Sequence, residues 1–125
     1  MVEFKPQEME YRSLGASGLK VSVLSYGNWL TSNDSSAEET TKACVKRCFE
    51  HGINFFDTAE AYGTPFGTAE IILGNALKEL NVGREKLVVS TKLMKVGNTV
   101  NERGLSRKHI IEGTNASLRR LQLDY

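Results

Sequence analysis

The sequence predicts an α/β protein in which parallel strands alternate with helices. Short apolar runs at residues 23–27, 53–56 and 87–91 have the length and composition of strands. A segment with the 3.6-residue apolar period of an amphipathic helix follows each run. Strands separated by helices run parallel and are joined by right-handed crossovers. Periodicity alone does not distinguish a barrel from a doubly wound sheet, but no strand is followed by the Gly-x-Gly-x-x-Gly motif of a dinucleotide-binding sheet.

Composition and charge exclude several classes of function. The 125 residues are 40% hydrophobic, which is enough for the core of one ordinary domain. Sixteen basic and fifteen acidic side chains leave a formal charge of +1, so we expect no electrostatic attraction to nucleic acid or to an anionic membrane. No apolar run reaches the roughly 18 residues of a transmembrane helix, and residues 1–9 lack the apolar centre of a signal peptide. A cytoplasmic protein is therefore expected.

The chain is predicted to begin with a flexible leader and a hairpin. Residues 1–9 form the leader, and residues 10–125 form the folded domain. Within that domain, residues 10–21 predict a β-hairpin whose turn contains Gly15 and Gly18, since glycine permits a positive φ.

The first helix is predicted over residues 37–50. The polar residues 32–36 precede it and offer several N-caps, and Gly52 ends it. Its predicted apolar face contains Thr41, Cys44, Val45, Cys48 and Phe49.

Two further helices follow the second and third strands. Residues 63–67 form a loop, after which Thr68 is predicted to cap the second helix. A polar stretch at residues 95–104 leads to Ser106, which is predicted to cap the third. The second helix has an apolar stripe of Ala69, Ile72, Leu73, Ala76, Leu77 and Leu80. The third is predicted to bury Ile110, Ile111, Thr114, Leu118 and Leu121.

A pair of cysteines on the first helix and a pair of basic residues on the third each fit either a functional or a structural role. Cys44 and Cys48 share a helix face, with His51 nearby, so they fit either a metal site or an apolar stripe of buried thiols. Arg107 and Lys108 lie in the first turn of the third helix, where the helix dipole disfavours cations. They fit either a contact with a phosphate or a partner, or a solvated face.

An acid, a phenol and an amine follow neighbouring strands. Asp57 ends the second strand, Tyr62 comes five residues later, and Lys92 follows the third strand. A phenol can protonate the alkoxide that forms when a carbonyl accepts hydride, but a free phenol titrates near pKa 10. A nearby ammonium lowers that pKa, and a carboxylate keeps the ammonium charged. The trio therefore predicts Tyr62 as the acid, Lys92 as the tuning charge and Asp57 as its partner.

Each of these residues also has an ordinary structural interpretation. Asp57 fits a turn cap, Tyr62 fits a half-buried tyrosine with a hydrated hydroxyl, and Lys92 fits a solvated strand end. Only their order within one set of motifs favours a catalytic site.

The motifs around the trio resemble the aldo-keto reductase family. Residues 52–62 read GINFFDTAEAY, which is similar to the family's second strand with its Asp-Thr-Ala and later tyrosine. Residues 69–74, AEIILG, and 90–92, STK, are similar to its next helix and third strand. Residues 11–22 resemble its N-terminal hairpin. Residues 103–113, RGLSRKHIIEG, and 117–125, SLRRLQLDY, resemble the branch that contains potassium-channel beta subunits.

The resemblance implies the N-terminal part of a (β/α)8 TIM barrel. About three βα units and a hairpin are present, whereas such a barrel needs about 250 residues. We therefore expect a fragment or a short product that stops before the fourth strand. In the family a fourth catalytic residue, usually histidine, ends that strand, and His51 and His109 do not fit its position.

The resemblance also implies NADP(H) as cofactor. Residues 27–29, GNW, are similar to the family's Gly-Thr-Trp, so Asn28 and Trp29, together with Asp57, are predicted cofactor-binding residues. Trp29 also fits a core position. The loop after Tyr62 is about two residues longer than in close relatives, so substrate preference does not transfer.

Three hypotheses of function follow. The first is an NADPH-dependent reductase of small aldehydes or ketones, for which no metal is expected. The second is an NADP(H)-binding regulatory beta subunit that binds a potassium-channel cytoplasmic domain and forms a homo-tetramer when full length. The third is a non-functional remnant that lacks the rest of the cofactor site.

Overall fold

The computed structural model describes residues 2–30, 34–94 and 97–125. Within these ranges a β-hairpin precedes a parallel sheet whose strands are separated by helices. In chain order the elements are β1 (Tyr11–Ser13), β2 (Lys20–Ser22), β3 (Tyr26–Gly27), α1 (Ala37–Glu50), β4 (Phe55–Asp57), α2 (Thr68–Leu80), β5 (Val88–Ser90) and α3 (Arg107–Leu121).

The sheet confirms the predicted parallel alternation. Its strands lie in the order β3-β4-β5, and both pairings are parallel. Phe56 of β4 is opposite Tyr26 on one side and opposite Val89 on the other. A helix connects each strand to the next, which is the βα unit that a partial barrel requires.

The core lies where α1 and α2 pack against the sheet and against each other. Phe49 of α1 and Leu73 of α2 are almost fully buried beside Phe56. Burial of a side chain of this size contributes about 1.5–3 kcal/mol, so this cluster is the main source of stability. Both predicted apolar faces are confirmed, except that Cys44 and Cys48 are only partly buried. The other members of the cluster are Val45, Ala76, Leu77, Leu80, Leu87 and Leu121.

The predicted hairpin is confirmed, and it is anchored on the turn between α1 and β4. Gly15 and Gly18 have φ values of +57° and +75° in its turn. The Tyr11 hydroxyl donates to the Gly52 carbonyl at 2.5 Å, and burial raises the pKa of Tyr11. The expected strand at residues 23–27 is shorter than predicted, because the N–H of its first residue extends the hairpin by donating to the Glu10 carbonyl.

The segment expected to be a leader contacts the core. Residues Pro6–Glu8 form a 3-10 turn. The Phe4 ring lies 4.7 Å from the ring of Phe49, measured between centroids. This contact connects the start of the chain to α1.

Part of the loop before α1 lies outside the described residues, and the N-cap of the helix is Ser36. Ser32 and Asn33, two of the expected N-caps, fall outside them. Asp34 accepts hydrogen bonds from both the backbone N–H and the hydroxyl of Ser36. At the other end of the helix, Gly52 has a φ of +82°, which confirms its predicted role.

The predicted cap of α2 is wrong by one residue. The N-cap is Gly67, with a φ of +89°, and Thr68 is the first helical residue. The Thr68 hydroxyl donates to the Pro65 carbonyl at 2.6 Å instead of accepting from the helix. Gly67 has no side chain, so α2 begins without a side-chain cap.

The predicted buried face of α3 is also wrong, although its N-cap is right. Ser106 accepts from the N–H of His109 at 3.1 Å, as expected. Ile110 and Ile111, however, are 44% and 47% exposed, and Thr114 is exposed as well. Leu121 is buried as predicted. The stripe that packs inward is His109, Gly113, Ser117 and Leu121.

Polar partners explain this choice of face. Buried carboxylates on the neighbouring β4–α2 unit bind His109 and Arg120, and small residues between these two let α3 approach closely. The period of apolar residues takes no account of polar partners, so the sequence predicted burial of the more hydrophobic face of α3.

The two cysteines are free thiols on α1. Cys48 packs against the core cluster, and burial, with a smaller contribution from Cys44, raises the pKa of its thiol. Within the ranges given above, no set of side chains is arranged as a metal site. No helix in these ranges is long and apolar enough to cross a membrane.

Candidate active site

The strand order brings the three predicted catalytic residues to one edge of the sheet. Asp57 is the last residue of β4 and lies opposite Ser90, the last residue of β5. Lys92 follows two residues later, so it leaves the sheet at the same edge as Asp57. Tyr62 returns to this edge through a turn in which its N–H donates to the Ala59 carbonyl at 3.1 Å.

Lys92 connects the carboxylate to the phenol. Its Nζ donates to Asp57 Oδ2 at 2.5 Å and to the Thr58 carbonyl at 2.8 Å. The same nitrogen lies 5.0 Å from the centre of the Tyr62 ring, within the range of a cation–π contact. Ser90 Oγ donates to Asp57 Oδ1 at 2.6 Å, so both oxygens of this carboxylate are engaged.

The surroundings of Lys92 keep it positively charged. Partial burial lowers the pKa of Lys92, but hydrogen bonds to Asp57 and Tyr62 outweigh it and raise this pKa above the usual 10.5. The Lys92 and Asp57 side chains are 51% and 34% exposed, so water screens their attraction. Such a pair contributes only about 0.2–1 kcal/mol to stability. Its main effect is to fix a positive charge beside the phenol.

Trp29 provides an exposed aromatic surface next to Tyr62. The two rings are stacked, with centroids 5.8 Å apart and an interplanar angle of 28°. The residue is 61% exposed, which rules out the core position that its sequence also fitted. A flat apolar surface therefore borders the Tyr62 ring.

Asn28 is placed differently. It is fully buried, and its Nδ2 donates to the Ala69 carbonyl in the first turn of α2 at 2.7 Å. Its backbone N–H donates to the Asp57 carbonyl at 3.3 Å. Asn28 therefore connects the end of β3 to β4 and α2, and its predicted cofactor contact stays a prediction.

Two buried carboxylates near the trio were not predicted. Glu60 and Glu70 are both fully buried. Glu60 lies between Asp57 and Tyr62 and faces His109, whereas Glu70 on α2 faces Arg120. Nothing in their spacing indicates burial, because an acidic residue in a loop or on a helix is usually solvated. Only the position of α3 provides them with partners.

Parallel βα units with catalytic residue types at the carboxyl ends of their strands are characteristic of (β/α)8 barrel enzymes. Residues 23–125 match the model of the Aldo/keto reductase family. This match covers most of the chain, and the chain belongs to that family.

The curated relatives carry a more specific name. A protein from Arabidopsis thaliana, called "Probable voltage-gated potassium channel subunit beta", is 50% identical over 117 residues. A protein of the same name from Oryza sativa subsp. japonica is 49% identical over 117 residues. Both matches cover 94% of this chain and 35% of the relative. The chain thus spans about a third of the length of the curated relatives it matches.

Solved aldo-keto reductases share the fold. One from Bacillus halodurans, in its holo form, is 34% identical and superposes with a TM-score of 0.71 over 94% of this chain and 38% of that one. Another, from Klebsiella pneumoniae in complex with NADPH, is 26% identical, with a TM-score of 0.69 over 86% of this chain and 34% of that one. The hairpin and the βα units therefore form the N-terminal part of a barrel.

Proposed function

We propose that the protein containing this sequence reduces small aldehydes or ketones with NADPH. The observation that carries the proposal is the position of Lys92, whose ammonium contacts Asp57 and lies against the Tyr62 ring. Family membership supports oxidoreductase chemistry in general. The particular cofactor, substrates and residue roles are the substance of the proposal.

The chemistry follows from where charge develops. When a carbonyl carbon accepts hydride, its oxygen becomes an alkoxide and needs a proton in the transition state. The Tyr62 hydroxyl donates that proton. The Lys92 ammonium stabilises the phenolate left behind, because opposite charges attract. Asp57 holds the ammonium in place and keeps it charged.

NADPH, when bound, would supply the hydride. The exposed Trp29 ring and the Asp57 carboxylate would hold the nicotinamide end, since an aromatic plane and a hydrogen-bond acceptor lie together beside Tyr62. The predicted cofactor contact of Asn28, whose Nδ2 donates to the Ala69 carbonyl, is part of the same proposal. These described residues fit one end of the cofactor.

The test is a Tyr62→Phe variant of the natural gene product that contains residues 1–125. We expect loss of NADPH-dependent aldehyde reduction by at least about 100-fold, the usual size of a general-acid effect. Tyr125→Phe is the matched control, because it removes a phenol whose ring contacts Arg84 rather than Lys92. Normal reduction by Tyr62→Phe would exclude this mechanism.

The names of the relatives favour a second candidate, a regulatory beta subunit of a voltage-gated potassium channel. Such a protein would bind NADP(H) and a channel's cytoplasmic domain, with weak catalysis, and the complete protein would form a homo-tetramer. Co-purification of the gene product with that domain tests the candidate. Binding that survives Tyr62→Phe would separate regulation from catalysis, and no binding to any such domain would argue against it.

Intact mass of the natural gene product tests the third hypothesis, a non-functional remnant. A mass at least twice 13.9 kDa would place this site in a larger barrel. A mass near 13.9 kDa would favour a partner-dependent or vestigial role over autonomous catalysis.

A further inference from the structure

Glu60 occupies an unusual place beside the proposed site. It lies in the loop between Asp57 and Tyr62, yet its side chain is fully buried. Burial of a carboxylate is unfavourable unless hydrogen bonds replace water. The contacts of Glu60 therefore indicate what this burial accomplishes.

Glu60 connects the segment that carries Tyr62 to the segment that carries Lys92. Its backbone N–H donates to the Lys92 carbonyl at 3.1 Å. Its Oε1 accepts from the Met94 N–H at 2.5 Å. Two hydrogen bonds from one residue thus hold the chain on both sides of Leu93.

The third contact brings in α3. His109 is 3% exposed, and its Nε2 lies 3.1 Å from Glu60 Oε1. Because a carboxylate only accepts, the imidazole N–H donates. The backbone of His109 is fixed in turn by the Ser106 hydroxyl at 3.1 Å. A residue of the capped first turn of α3 therefore contacts the buried carboxylate.

The fit around Glu60 is tight at Gly113, where an added Cβ would require its neighbours to shift by a few tenths of an ångström. A Cβ there would lie 3.1 Å from Leu93 Cδ2 and 3.2 Å from Glu60 Oε2. That Oε2 atom is buried without a hydrogen-bond partner among the described residues. A carboxylate with an unpaired oxygen is a poor choice for stability alone, since an apolar side chain would avoid the cost.

We propose that Glu60 and His109 are positioning residues that fix the distance and angle between Tyr62 and Lys92. The inference rests on the proposed reductase function, for which this distance determines how well the ammonium stabilises the phenolate. Neither residue touches the reacting atoms. A displacement of about 1 Å at a reacting group costs up to about 100-fold in rate, so a small shift of either segment is sufficient.

Glu60→Ala and Glu60→Gln test the inference in the natural gene product. We expect the alanine variant to lose kcat by about 10- to 100-fold, with the KM for NADPH changed by less than about threefold. Glutamine keeps an oxygen for the Met94 N–H, so we expect it to recover most of kcat. In the Tyr62→Phe background, Glu60→Ala should cause no further loss, since residues acting through one group are not additive.

Trp29 gives a readout that does not require activity. Its ring stacks on Tyr62, so its fluorescence, taken as the difference between each protein and its Trp29→Phe counterpart, reports movement of Tyr62. We expect this difference spectrum to shift in Glu60→Ala and in His109→Ala. We expect no shift in Leu77→Ala, which removes core volume from α2. Gly113→Ala, which crowds Glu60 without removing any contact, should shift it as well.

The outcomes are distinguishable. Unchanged kcat and emission in Glu60→Ala would overturn the inference, as would equal losses in Glu60→Ala and Leu77→Ala, which would indicate general destabilisation. If Tyr62→Phe retains reduction, the proposed function fails, and the Trp29 emission still decides whether Glu60 positions Tyr62. If Tyr62→Phe is inactive and Glu60→Ala is normal in both readouts, only the positioning role is lost.

Discussion

Two of the acid–base pairs that join neighbouring elements of this chain differ in exposure. Asp57 and Lys92 meet at the strand ends with side chains 34% and 51% exposed. Glu70 and Arg120 meet between α2 and α3 with side chains 0% and 22% exposed. Both pairs are short, at 2.5 Å and 2.6 Å. Exposure, rather than distance, separates a pair suited to chemistry from a pair that holds the fold.

The physical reason is the cost of an unpaired charge. At the strand ends water solvates whichever partner is left, so loss of the pair costs little stability. Between the helices no water replaces the missing partner, and the remaining charge is buried. Glu70 also accepts from the Thr91 hydroxyl at 2.6 Å, which connects α3 through this carboxylate to the residue before Lys92.

The largest expected effect is on the buried pair. Arg120→Met should lower the free energy of unfolding by about 3 kcal/mol, because it leaves the Glu70 carboxylate buried with one partner fewer. Urea denaturation of the gene product measures the change. The double variant Glu70→Gln with Arg120→Met should recover part of the loss. A change below about 1 kcal/mol in the single variant would contradict the contrast drawn between the two pairs.

Loss of the exposed pair should affect activity instead. Lys92→Met should reduce kcat by at least about 100-fold, equivalent to about 2.7 kcal/mol, while the free energy of unfolding changes by less than about 1 kcal/mol. Steady-state kinetics test the expected change in kcat, and urea denaturation of the same sample tests the expected change in the free energy of unfolding. A large loss of stability with unchanged kcat would reverse the comparison.

The pH dependence of Lys92 sharpens the same comparison. Its pKa is raised, so the stabilisation that Lys92 contributes is fully present at pH values just below 10.5, and on the alkaline side it is lost as the pH rises through the elevated value. The pH–rate profile of the wild-type gene product should therefore show no limb from Lys92 below pH 10.5. A limb below that pH that disappears in Lys92→Met would contradict this expectation.

The smallest effect concerns the start of α3. Ser106→Ala removes the acceptor of the His109 N–H and should cost about 1 kcal/mol, the typical value of an N-cap. Ser106→Asp, which keeps an acceptor, is the matched control and should cost less. Thermal denaturation of the two variants measures the difference. Equal losses would show that the cap itself contributes little.

Two of the three helices follow their apolar pattern closely, and the third shows where such a pattern fails. In α2 all six predicted apolar positions are buried. In α3 the apolar Ile110 and Ile111 are exposed, while His109 and Ser117 are buried. The spacing of apolar residues along a helix indicates its buried face when the neighbouring surface is itself apolar. Next to buried carboxylates, the face that offers hydrogen-bond donors packs inward.

The proposed site likewise contains contacts that the sequence predicted and a contact that it did not. Asp57, Tyr62 and Lys92 were predicted to meet, and they do, because each lies close after a parallel strand and the strand ends share one edge. Glu60 and His109 were not predicted to meet. They are 49 positions apart, and their contact depends on how α3 packs against α2 and the loop before it.

The sequence alone determined the alternation of strands and helices, the core faces of α1 and α2, and the gathering of three candidate catalytic residues. These features follow from periodicity and from the geometry of parallel strands, which are local or nearly so. Only the tertiary structure decided which face of α3 is buried, that Trp29 is exposed and Asn28 enclosed, and that Glu60 and Glu70 have partners. Those outcomes depend on whether polar groups distant in sequence find each other, since a buried charge is tolerated only where the fold supplies its partner.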